Sequence, residues 1–165
     1  MRHASWILGL LFAAGAAFAQ QPSAAVDAWN PRTGDAWTDA TLADINVYGN
    51  RYPDAFADEL ARYHGAPREV VSALLAAPGW TPGDVYFACT LAQAIGRSCR
   101  YVGDEWQAHR DEGWGALAQR LGVAPGSPEF RRLKDGFAPA YERWGRPLPP
   151  PVSGRKPGKP ARKGG

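Results

Sequence analysis

GWTPGDVYFACTLAQAIGRSCRYV, Gly79 to Val102, decides the fold. In TPGD, Thr81 is placed to cap a helix and Pro82 suits its first position. Asp84, third in the helix, completes a capping-box arrangement while its charge complements the helix dipole. Val85 to Ile95 is then apolar almost all round, the mark of a central helix buried on every side. Gly96 breaks it. Cys99, Val102, Trp106 and His109 follow at i, i+3, i+7 and i+10, predicting a second helix to about Asp111. Two helices across a glycine turn, with the small Ala92 allowing close approach and Val102 packing back, make a helix-turn-helix-like pair. That pair reads either as DNA recognition or as packing. A recognition helix offers cations and amides to phosphates and base edges. Here Arg97, Arg100 and Arg110 stand beside Asp104, Glu105, Asp111 and Glu112, which oppose a phosphate backbone, so packing is the better reading.

Working outward, a short helix is predicted over Asp39 to Tyr48, with Thr38 as N-cap, Leu42 and Ile45 on one face, and Gly49 ending it. Pro53 opens a helix carrying Phe56, Leu60 and Tyr63 at i, i+4 and i+7 before Gly65. Pro67 opens another with Val70, Val71, Leu74 and Leu75. Downstream, Trp114, Leu117, Ala118 and Leu121 predict a short helix. Ser127 and Pro128 start the last one, along Phe130, Leu133, Phe137, Tyr141 and Trp144, which Pro139 should kink or split. A loose echo, Gly79-Trp80 leading to LAQAIG and Gly113-Trp114 leading to LAQRLG, fits two similar helical pairs. It is too short for a solenoid. No segment alternates with period two. The expected fold is all-α, a compact bundle of about six short helices over residues 39–145.

The ends differ from this body. Residues 1–19, MRHASWILGLLFAAGAAFA, have the pattern of a signal peptide with an A-x-A cleavage site, and the apolar run is too short for a permanent membrane span. The mature chain is expected to start near Gln20 with an extended arm, residues 20–38, holding the near-repeat DAWNP and DAWTD. From Gln20 to Gly145 there are 12 Arg and Lys against 16 Asp and Glu, whereas Arg146 to Gly165 carries 6 basic residues and no acidic one. A mildly acidic domain therefore carries a basic tail. Residues 146–165, rich in Pro, Gly, Lys and Arg, are expected to be disordered and dispensable for folding.

Cys89 and Cys99 are the only cysteines. An exported chain permits a disulfide between them; the alternative is two buried thiols, because a strictly antiparallel hairpin would hold their Cα atoms beyond the about 7 Å that a bridge spans. His64 and His109, the two histidines beyond residue 19, read as core or capping residues, and no metal or cofactor motif is present. The pairs Asp58 with Glu59, Asp104 with Glu105 and Asp111 with Glu112 raise a glycosidase reading. Neighbours on a helix point about 100° apart, so a solvated face is the default. The candidate interaction residues are Trp29 and Trp37 in the arm, since indoles concentrate at binding hot spots, and the polar line Tyr86, Thr90 and Gln93 on the central helix, which the arm could equally cover. In the tail they are Arg155, Lys156, Lys159, Arg162 and Lys163.

Taken together, RYPDAFADELARYHGAP, GWTPGDVYFACTLAQAIG and GWGALAQRLGVAPGSPEFRRLK resemble a group of small, exported, helical proteobacterial proteins of uncharacterised function. The resemblance covers Arg51 to Lys134 and implies fold and compartment, with no activity or catalytic residue to carry over. The expected function is a non-enzymatic, periplasmic or secreted binding or interaction module, its partner an unknown protein or an anionic envelope component contacted by the tail. The rivals are a nucleic-acid-binding protein and, behind it, a cell-wall hydrolase.

Overall fold

A computed structural model of the chain describes residues 29–152. The signal-peptide pattern, the arm before Trp29 and the five basic tail positions lie outside the described residues. Among the described residues every regular element is helical. The central helix runs Pro82–Ala94; Thr81 and Asp84 close a capping box at its start, and every residue from Pro82 to Ala92 is buried. Ala36–Arg51 (α1), Pro53–Tyr63 (α2), Arg68–Ala76 (α3) and the central helix (α4) precede Cys99–Ala108 (α5), Trp114–Arg120 (α6), Pro128–Asp135 (α7) and Phe137–Arg143 (α8). α1, α3, α5 and α7 all pack on α4, and α2 packs on α1 and α3. Leu42, Ile45, Phe56, Leu60, Phe87 and Leu91 are fully buried in this core, each worth roughly 2 kcal/mol of burial.

Several boundaries differ from expectation for identifiable reasons. α1 starts at Ala36 rather than Asp39, because Asp35 is the cap: its carboxylate accepts from the Thr38 backbone N–H at 2.8 Å and from the Thr38 hydroxyl at 2.7 Å. The arm therefore ends at Asp35, and Trp37 lies in the first helical turn. Gly49 does not end α1, which continues to Arg51. It serves a helix crossing instead: a side chain at Gly49 would run into Pro82, and one at Gly83 would meet the Leu42 carbonyl at 2.7 Å. α5 stops at Ala108, with His109 as its C-cap and a 3-10 turn over Arg110–Glu112. The last helix is split at Gly136, three residues before Pro139. Pro139 has no N–H for the Asp135 carbonyl and its ring crowds it, so α7 closes at Asp135.

The segment after Trp144 is also anchored at first. Arg146 pairs with Asp44 at 2.6 Å, and the Trp37 indole donates to the Pro149 carbonyl at 2.9 Å. The packed domain thus extends past the expected boundary at Gly145.

Candidate functional site

The cysteines are bridged, with Cα atoms 4.3 Å apart. Gly96 turns at φ +67°, the Arg97 N–H returns to the Ala92 carbonyl, and an extended Ser98 precedes α5. Cys99 is thereby laid back beside Cys89 instead of a turn beyond it, which removes the geometric objection.

Of the other predicted residues, Trp29 and Trp37 are half-buried and engaged. The Trp29 indole donates to Asp84 Oδ2 at 3.1 Å, while Trp114 donates to Asp84 Oδ1 at 2.8 Å. The arm carbonyls of Pro31 and Arg32 accept from the Trp114 and Gly115 N–H groups, filling the open start of α6. Trp37 packs edge-on against Phe137. The polar line on α4 is not a surface as a whole. Tyr86 is fully buried beneath His64, Phe137 and Trp144, with ring centroids 5.1 to 6.0 Å away, so α8 and the end of α2 cover it rather than the arm. Thr90 is buried and donates to the Tyr86 carbonyl; Gln93 stays exposed and donates to the Tyr63 carbonyl.

Thr90 and Gln93 nevertheless meet a cleft of about 400 Å³, walled also by Tyr63, His64, Arg132 and Arg143. Tyr63 and Arg143 in turn wall a second cleft of about 430 Å³ with Asp58, Arg62 and Trp144. Trp144 and Tyr48 carry the surface into a third of about 420 Å³, ending at Val47, Arg51 and Tyr52. Packed pairs stand between neighbouring clefts, Arg143 on Tyr63 and Trp144 on Tyr48 at 4.2 Å; the second cleft, between α2 and α8, is the α2–α8 groove.

Its floor is a charged pair that the sequence reading overlooked. Glu59, from α2, is buried, and Arg143, closing α8, donates to both its oxygens, Nε to Oε2 at 2.9 Å and Nη2 to Oε1. His64 Nε2 lies 3.7 Å from Oε1, an electrostatic neighbour beyond hydrogen-bond length. Burial pushes the Glu59 carboxyl up. The hydrogen bonds from Arg143, with His64 acting in the same direction, outweigh this and hold it below its usual range. Burial and then the Glu59 charge push the Tyr86 phenol well above its ordinary value, so it stays neutral. The Tyr86 hydroxyl and both His64 ring nitrogens are buried without a hydrogen-bond partner among the described residues. Above the pair, the Arg143 guanidinium lies 3.7 Å from the centre of the ring of Tyr63, a residue that is half exposed.

A solvated face was thus the wrong default for Glu59. The signal was present: Phe56, Glu59, Leu60 and Tyr63 fall at i, i+3, i+4 and i+7, which puts the carboxylate on the stripe that faces inward. Among the described residues no cluster of His, Cys, Asp or Glu is arranged to hold a metal ion, and no helix is long and apolar enough to cross a membrane.

Comparison with known proteins gave no match to any family model, curated protein or solved structure.

Proposed function

We propose that this chain is an exported, non-enzymatic binding module, periplasmic or secreted, which holds an envelope component in the α2–α8 groove. Its basic tail, Arg155, Lys156, Lys159, Arg162 and Lys163, adds secondary contacts to an anionic polymer. The groove carries this reading: an open, polar and aromatic surface whose side chains are fixed on packed helices by their own ion pairs. The disulfide fits an oxidising compartment. A carboxyl acting as the general acid of a glycosidase holds its proton near neutral pH, whereas Glu59 is pushed the other way with both oxygens occupied, which suits a fixed counter-charge. A nucleic-acid reading through α4 and α5 has less support, because α4 is enclosed and the body is acidic.

The tail's part is tested by retention of the mature full-length chain on an anionic matrix across a salt series, beside a form ending at Val152. The full-length protein should hold at low salt and elute steeply as salt rises; the shortened form should pass through. Retention of the shortened form, or selection of one DNA sequence over scrambled duplex at physiological salt, would return the nucleic-acid reading to first place.

A further inference from the structure

We infer that the outer side of α1, with the strand from Arg146 to Val152 beside it, is a self-complementary face on which a second copy of this chain docks, the two α1 helices antiparallel about a two-fold axis near Ala43. This goes beyond the binding-module reading and does not rest on it. The first observation is where the exposed apolar side chains stand. Among the described residues five large hydrophobic side chains are exposed, and four of them, Val47, Tyr52, Leu148 and Val152, belong to this face, with Val47 64% exposed. Val47 and Tyr52 share a cleft with Arg51 at the C-terminal end of α1, while Leu148 and Val152 share one with Trp37 and Asp135 at its N-terminal end. Between the two clefts α1 turns Ala40, Ala43 and Val47 outward, at i, i+3 and i+7, where a helix facing only water carries charge. The strand follows one flank of that side: Arg146 pairs with Asp44, and Pro149 is held by Trp37, one position i and the other i+7 on α1.

The second observation, charge, chooses the occupant. Arg51 and Asp135 are both exposed, and neither has an ion-pair partner among the described residues. The other charges on the face are closed in pairs, Lys134 with Asp35 and Arg146 with Asp44. An anionic polymer would find Arg51 balanced by Asp135 and no net charge to draw on. A second copy finds its own complement. Turned end for end, it sets each Arg51 on the other copy's Asp135, and Val47 and Tyr52 of each on Leu148 and Val152 of the other. A two-fold axis perpendicular to α1 does this while keeping strand beside strand, so every contact is made twice. The midpoint between Trp37 and Arg51 is residue 44, which brings the small Ala43 to the crossing, where the helices come closest. α1 has 16 residues and is therefore about 24 Å long. A face of that length, widened by one strand, is smaller than the standard interface of about 800 Å² per partner, so the dimer is a reversible one in the micromolar range.

The test is sedimentation equilibrium of the mature full-length protein across a series from low to high micromolar concentration, which should show reversible exchange between monomer and dimer. Arg51→Glu alone, or Asp135→Arg alone, makes both inter-copy charge contacts repulsive and should weaken association about tenfold or more. Mixing the two variants in equal amounts should restore it, because in the mixed dimer one contact is the native one and the other is its charge-reversed counterpart. Neither a folding defect nor a dimer formed on another surface gives that rescue. Ala43→Arg, at the crossing, should leave a monomer, and circular dichroism checks that all three variants fold, as exposed positions should allow. The form ending at Val152 should associate as the full-length chain does. A monomer at every concentration overturns the inference. So does a dimer unmoved by Ala43→Arg, a dimer lost in the form ending at Val152, or a pair of charge variants that weaken association and do not rescue each other on mixing.

Discussion

Arg143, the last residue of α8, clamps both carboxylate oxygens of Glu59, 84 residues earlier on α2. It thereby ties the last helix to the second. The pair is asymmetric: Glu59 is 3% exposed at its side chain and Arg143 31%. Removing the arginine leaves a buried carboxylate without its partner, whereas neutralising both leaves only an amide, whose lost hydrogen bonds cost less than an unpaired charge. Arg143→Met should therefore cost about 3 kcal/mol in urea unfolding, and Glu59→Gln with Arg143→Met clearly less than that. A double variant as unstable as the single one would show that the guanidinium acts through its packing on Tyr63 instead.

The same pair sets the acid limit of the fold. A carboxyl whose folded-state pKa is depressed contributes stability above its unfolded value, near 4.5, and loses it as pH falls through the folded value. Asp35 adds in the same sense: burial opposes ionisation, but Lys134 and the Thr38 cap overcome it. Stability should be level from about pH 7 down to about 5 and then decline. Denaturant midpoints at unit pH intervals check this, and in Glu59→Gln the decline should be shallower.

For the Cys89–Cys99 bridge, the relevant quantity is its sequence separation of 10. Closing so short a loop in the unfolded chain is worth about 3 kcal/mol in the chain-entropy model. Replacing both cysteines by Ala should lower stability by that order while α4 stays helical, since its cap and its apolar faces are independent of the bridge. Thiol titration of the unfolded, unreduced protein purified from an oxidising compartment should find no free thiol. Two free thiols there would remove the bridge from the account.

Much of the fold could be read from local rules. The Thr81-Pro82-Gly83-Asp84 cap, the enclosed α4 and the start of α7 at Ser127-Pro128 each rest on residues within one turn of one another. Boundaries failed where a distant partner decided them: Gly49 looks like a stop and is a crossing point, because only the packed structure brings Pro82 against it. The candidate site failed for the same reason more completely. Glu59, His64 and Arg143 come from the middle of α2, its C-cap and the end of α8. Nothing in the spacing of Arg143 marks it as the partner of Glu59, although the position of Glu59 on an apolar stripe called for one.

The tail prediction changes once the anchors of residues 146–149 are known. Arg146 meets Asp44 at 2.6 Å, with both side chains about 29% exposed, and its guanidinium also lies 5.5 Å from the Tyr48 ring centre. Three residues on, the Pro149 carbonyl accepts from the Trp37 indole, and Leu148 lies with Trp37 along one cleft. A partly buried ion pair and a half-buried hydrogen bond sum to roughly 2 kcal/mol, small beside the core yet large beside the zero expected of a dispensable tail. Ending the chain at Gly145 should therefore lower the melting temperature by several degrees and alter Trp37 emission, because the indole N–H loses its acceptor. Ending it at Val152 should leave both unchanged, since none of these contacts involves a later residue. Identical melting of the two shortened forms would move the domain boundary back to Gly145.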